Sequence, residues 1–217
     1  MSEQEKLADT SWYSTPEAAL EVLAPGARYE ELAHQYFLPA PEAFSMERMA
    51  LQALLVRLHG LHRGVWLGLA DDNPWAVMPV LRAMFELEVA MLYVSTRPAM
   101  FTALVDGPSA AHPDHPRLPK PRTMLAGVRD DIPAGAAAYK ELSDLTHVAE
   151  STTWMAHTPQ RVDGQLIATW SPRPSFRPGD LEKVAGQFRE LIEGCVVAFE
   201  RLVVQFLEDG VTAGEQE

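Results

Sequence analysis

Cysteine is nearly absent from this sequence: Cys195 is the single one in 217 residues. An intramolecular disulfide is therefore excluded, and a thiol left unpaired fits a reducing compartment. Positive charge is also scarce, with 18 Lys and Arg against 30 Asp and Glu and a formal net charge of −12. Such a chain repels phosphate backbones, which weighs against broad nucleic-acid binding. Long apolar runs are missing as well. Arg57, His59, His62 and Arg63 interrupt one candidate, and Arg82, Glu86 and Glu88 another. Neither reaches the roughly 18–20 clean apolar residues of a membrane span. The N-terminus, MSEQEKLADTS, lacks the basic start and apolar core of a signal peptide. These absences lead to the expectation of a cytoplasmic protein with no membrane contact. Internal repeats and low-complexity tracts are not found either.

What remains reads as helix. Thr15 and Pro16 open a short helix over 16–24, ended by Ala24-Pro25-Gly26, and a second covers 28–36. A long helix is expected from Pro41 to Ala70, with Leu51, Leu55, Leu58, His62, Val65 and Leu69 as its core stripe. Gly60, Gly64 and Gly68 recur at four-residue spacing on its other side. Each costs about 1 kcal/mol against alanine, so a neighbouring helix or ligand is expected to come close there. Asn73 and Pro74 then cap and open a helix to about Thr96, apolar nearly all round and hence buried. The short connection favours an antiparallel pair.

Residues 107–122 read as loop, followed by helices near 122–130 and 134–149. Two alternating runs flank Asp163-Gly164, a strong hairpin signal. Asp180 is expected to cap a last long helix reaching Asp209, with Gly210 as its stop and Leu181, Val184, Phe188, Leu191, Cys195, Ala198 and Leu202 facing the core. The fold class is accordingly all-α: a multi-helix bundle with long antiparallel central helices and a small β-hairpin inserted before the last long helix. Residues 1–40 form short helices packed on it, 41–210 the bundle, and 211–217 a disordered tail.

Two polar lines stand out. Arg82 and Glu86 lie one turn apart on the most apolar helix, and Tyr139, Ser143 and His147 repeat at the same step on a later one. Charged groups among large apolar neighbours need partners. The two lines are expected to meet, either as an internal brace or as the floor of a site in which His147 is a general base. No nucleophile elbow surrounds Ser143.

The same residues carry a resemblance. R-x-x-x-E at Arg82 and Glu86, followed by Y-x-x-L-S-x-x-x-H at Tyr139, Leu142, Ser143 and His147, resembles a loose group of uncharacterised bacterial all-helical proteins. It implies the helical fold over roughly residues 45 to 208 and points to these side chains without naming a reaction. A second resemblance is to the HEPN superfamily, helical bundles many of which cleave RNA as dimers. It rests on an arginine followed by a histidine at Arg57–His62 and Arg28–His34, with Leu58 and Tyr29 where that family usually places a polar residue.

Metal chemistry has weaker footing. Glu31 and His34 form a single E-x-x-H where a ferritin-like site needs two. His62 falls in the core stripe, and His112, Asp114 and His115 lie in a proline-rich loop. Cys195 reads as inert packing. Trp66 and Trp75 flank the central turn, and Trp154 and Trp170 sit in the expected strands. No cofactor and no metal are expected. The favoured reading is a non-catalytic interaction or regulatory module, a homodimer through the glycine-bearing or the final helix, open to a protein partner or small ligand. The alternative is a HEPN-like ribonuclease or another enzyme using Arg82, Glu86, Tyr139, Ser143 and His147.

Overall fold

A computed structural model describes residues 23–24, 27–38, 45–106, 117–146, 157–163, 165–170, 176 and 179–208. Of the helix expected over 16–24 only Leu23 and Ala24 are among them, and neither is helical; of the loop expected over 107–122, residues 117–122 are, with Pro121 already opening a helix; residues 41–44 and 209–217 lie outside them. The described chain is mostly helical, as an all-α protein requires.

Helix α1 (Ala27–Phe37) precedes the long α2 (Met46–Ala70). The start of α2 is Ser45, whose hydroxyl accepts a hydrogen bond from the Arg48 amide at 3.2 Å. That places the described start of this helix five residues after the expected Pro41. Asn73 does the same for α3 (Pro74–Ser95), accepting from the Ala76 amide at 3.2 Å, with Pro74 at the first helical position as its sequence dictates.

Gly64 faces Val80 and Gly68 faces Val77, where added Cβ atoms would lie 3.2 and 2.7 Å from the valine methyls. Because 64 pairs with 80 and 68 with 77, α2 and α3 run antiparallel. Two of the three glycines therefore serve a close approach within the chain. Around Gly60 an added Cβ would meet open space.

After α3, a 3₁₀ turn (Pro98–Met100) leads into α4 (Phe101–Asp106), a segment too short to leave a periodic signal. Phe101 anchors it on Phe206 with ring centroids 4.1 Å apart. Then come α5 (Pro121–Gly127) and α6 (Gly135–Thr146); α5 ends three residues short of expectation and α6 is described to Thr146. Strands β1 (His157–Val162) and β2 (Gln165–Trp170) pair antiparallel, Val162 opposite Gln165 and His157 opposite Trp170. Asp163 turns between them at φ 51°.

The last helix, α7 (Asp180–Val203), runs on into a π-helical turn over Val204–Glu208. Its cap is Gly179 at φ 87°, a left-handed conformation that favours glycine, and not Asp180 as expected. Asp180 and Glu182 instead sit in the first turn, where carboxylates complement the helix dipole.

Helix α3 is the central element. It packs against α2, α5, α6 and α7. Leu81, Met84, Val89, Met91 and Val94 are among its buried side chains, as its all-round apolar sequence requires. The core stripe of α7 meets it, with Phe188, Cys195, Phe199 and Leu202 fully buried. Cys195 donates weakly to the Met84 carbonyl at 3.8 Å, and burial pushes its thiol pKa well up.

Candidate functional site

The two polar lines meet where α3 crosses α6. Arg82 donates from Nε to Glu86 Oε1 at 2.9 Å, from Nη2 to the Tyr139 hydroxyl at 3.1 Å, and from Nη1 to Thr146 Oγ1 at 3.0 Å. The Tyr139 hydroxyl in turn donates a hydrogen bond to Glu86 Oε1 at 3.2 Å, which closes a ring of three groups. Thr146 completes the arrangement by donating to the Ser143 carbonyl at 3.0 Å. The guanidinium carbon also stands over the Tyr139 ring, 5.3 Å from its centroid, and Phe85 stacks on that ring at 6.4 Å.

Arg82 and Glu86 retain 24% and 34% side-chain exposure, so the cluster sits at the edge of the core rather than inside it. Partial desolvation of Arg82 works against its charge, but the hydrogen bonds from Glu86 and Tyr139 and the charge of Glu86 outweigh it and raise its pKa. The group stays a cation. All three nitrogens of the guanidinium are directed at partners, the arrangement of a brace between helices.

Of the five residues singled out in the sequence, Arg82, Glu86 and Tyr139 come together. Ser143 contributes its backbone carbonyl. His147 lies outside the described residues, as do His112, Asp114, His115 and Trp154. Thr146, seven residues after Tyr139 and therefore on the same helical face, is the partner that the four-residue step overlooked.

Beside the brace, Glu86 lines a cavity of about 370 Å³ together with Arg57 and Arg117. The pair Arg57–His62 is divided between two environments. Arg57 is exposed at this cavity, whereas His62 is buried against α1. The His62 ring donates from Nε2 to the Leu23 carbonyl at 2.8 Å, which fixes Nδ1 as the acceptor of the Tyr29 hydroxyl at 3.0 Å. Phe188 packs edge-on against it at 4.9 Å. Desolvation lowers the His62 pKa, against the opposing bond to Leu23, and the neighbouring His59 lowers it further. It is a satisfied core histidine. Arg28 is also engaged, with Glu31 and Glu200 each at 3.6 Å, while His34 is exposed. Among the described residues no group of three or more His, Cys, Asp or Glu is placed to hold a metal ion. Trp66 is half-buried and Trp75 exposed.

A further carboxyl was not singled out by its sequence pattern. Glu88 is 7% exposed on α3, and its carboxylate lies against Gly194 of α7. Desolvation raises its pKa from 4.5 to about 7. The signal was a glutamate two residues after Glu86, which must point to another side of the same helix.

Comparison with known protein families finds no match to this chain, and comparison with curated proteins and with solved structures finds none either.

Proposed function

We propose that the protein is a non-catalytic interaction module, a helical bundle with an inserted hairpin that pairs with a second copy of itself through the outer face of α2. One observation carries this reading. Met49, Ala53, Val56, Gly60 and Leu67 follow at steps of four, three, four and seven residues, the seam of a helix–helix contact, and all five are exposed. Met49, Val56 and Leu67 are 44%, 73% and 48% exposed.

The seam has a centre of symmetry in its residue types. Antiparallel pairing about residue 58 sets Met49 against the partner's Leu67 and Val56 against the partner's Gly60, a large group opposite a small one. Arg63 falls opposite the partner's Ala53. A self-complementary patch is what a two-fold dimer needs. The state of Arg82 supports a module without catalysis, because each of its three nitrogens donates to a group of the chain itself, Glu86, Tyr139 or Thr146. The single buried Cys195 is in keeping with a cytoplasmic setting. Among the described residues no helix is long and apolar enough to cross a membrane.

The test is molecular mass by light scattering, with wild type expected as a dimer and Val56→Glu as a folded monomer. The double variant Met49→Cys, Leu67→Cys should cross-link between copies on oxidation. The two positions stand about 27 Å apart on one helix and cannot bridge within a chain. A monomeric wild type, or a Val56→Glu protein of unchanged mass, overturns the proposal.

A further inference from the structure

Between α3, α6 and α7, next to the brace through Phe85 and away from the outer face of α2, lies a cavity of about 410 Å³. Its walls are apolar, with Phe85, Leu142, Leu145 and Leu191 among them, and Glu88 is set into its inner side. The volume falls in the range of small-molecule pockets. Glu88 is more than nine-tenths buried, and among the described residues neither a hydrogen bond nor an ion pair reaches its carboxylate. Gly194 makes the room it occupies, since a side chain there would collide with the carboxylate.

The charged side chains along the cavity are of one sign. Glu141 and Glu190 stand with Glu88, and the nearby Lys183 is held by Glu141 at 2.6 Å. A buried carboxyl without a partner is costly, and the group that relieves the cost is a cation donating hydrogen bonds. The apolar walls require the rest of that cation to be hydrocarbon.

We propose that this cavity binds a small apolar amine, its ammonium paired with Glu88 and its hydrocarbon body against Phe85, Leu142 and Leu191. An anion is disfavoured by the three carboxyls, and a bare metal ion because among the described residues no three such groups are placed to share one. The site is independent of the α2 surface, so the dimer and the amine site stand or fall separately.

The experiment is calorimetric titration of the full chain at pH 8 with 2-phenylethylamine, cyclohexylamine and n-hexylamine, each beside its alcohol counterpart. Wild type should bind at least one amine, more tightly than the matching alcohol. Glu88→Gln keeps the shape and should weaken the amine by about tenfold or more while leaving the alcohol unchanged. Ala137→Trp, at an exposed position on the cavity wall, should block amine and alcohol together and serves if the first variant does not fold. Absence of binding by all three amines, equal affinity for Glu88→Gln, or amine binding untouched by Ala137→Trp overturns the proposal.

Discussion

The carboxylate of Glu88 occupies the space in which a side chain at Gly194 would begin. Glycine inside α7 costs about 1 kcal/mol of helix propensity, and here the missing methyl makes room for a buried acid from the neighbouring helix. The two positions are thus coupled. Gly194→Ala should lower the stability of the wild-type chain by crowding that acid. In a Glu88→Ala background the same change should raise it by about 0.5–1 kcal/mol, the propensity gain alone. Urea denaturation of the four proteins measures the coupling, and additive effects would mean that the carboxylate moves aside without cost.

Stability should also depend on pH through Glu88. Its pKa is raised from 4.5 to about 7 in the folded chain, so the native state holds its proton more tightly than the unfolded state. The stabilisation is complete below pH 4.5 and is lost as pH rises through 7. The full difference is about 3 kcal/mol. Cys195 and Glu190 of α7 and Glu141 of α6 are the titratable groups near it, and burial is the cause of its shift. Glu88→Gln should therefore be more stable than wild type at pH 8 and closer to it at pH 5. Melting curves at both values decide this.

The brace has a different signature. Tyr139→Phe removes one hydroxyl that accepts from Arg82 and donates to Glu86, with little change of shape. A loss of about 1 kcal/mol is expected at neutral pH. In an Arg82→Met background the same substitution should cost less, because the hydroxyl has then already lost its donor. Chemical denaturation of the double-mutant cycle reads the difference.

His62 works against Glu88 in its pH dependence. Burial holds its pKa below 6.5, so its contribution is present above that value and is lost as pH falls below it. A ¹⁵N titration should place its ring below 6.5 with Nε2 protonated. Glu88→Gln, freed of the opposing trend, should melt at lower temperature at pH 5.5 than at pH 7.5.

The central helix was the most legible part of the fold. Asn73 and Pro74 mark its start, and apolar residues on every side require burial, which α2, α6 and α7 supply. The four-residue step likewise brought Arg82, Glu86 and Tyr139 to one crossing. Spacing along a helix does not reveal what faces it, however. Thr146 was hidden because its role depends on the angle at which α6 meets α3. Glu88 was hidden because a glutamate in an apolar helix can extend to water or be sealed, and Gly194, more than a hundred residues away, decides which. The spacing of Gly64 and Gly68 foretold a close neighbour but not that it would be α3 of the same chain. The six residues of α4 are too few to show periodicity at all. Gly179 took the capping place expected of Asp180 because the chain enters α7 through a left-handed backbone, φ 87°, that favours glycine.

Because α3 is enclosed by α2, α4, α5, α6 and α7, its backbone amides are protected by the whole assembly and should exchange with solvent only when the entire chain unfolds. Arg82, Glu86 and Glu88 all ride on that helix. Their relative positions are thereby tied to the slowest-opening part of the molecule, and a ligand that grips Glu88 holds the same rod that carries Arg82.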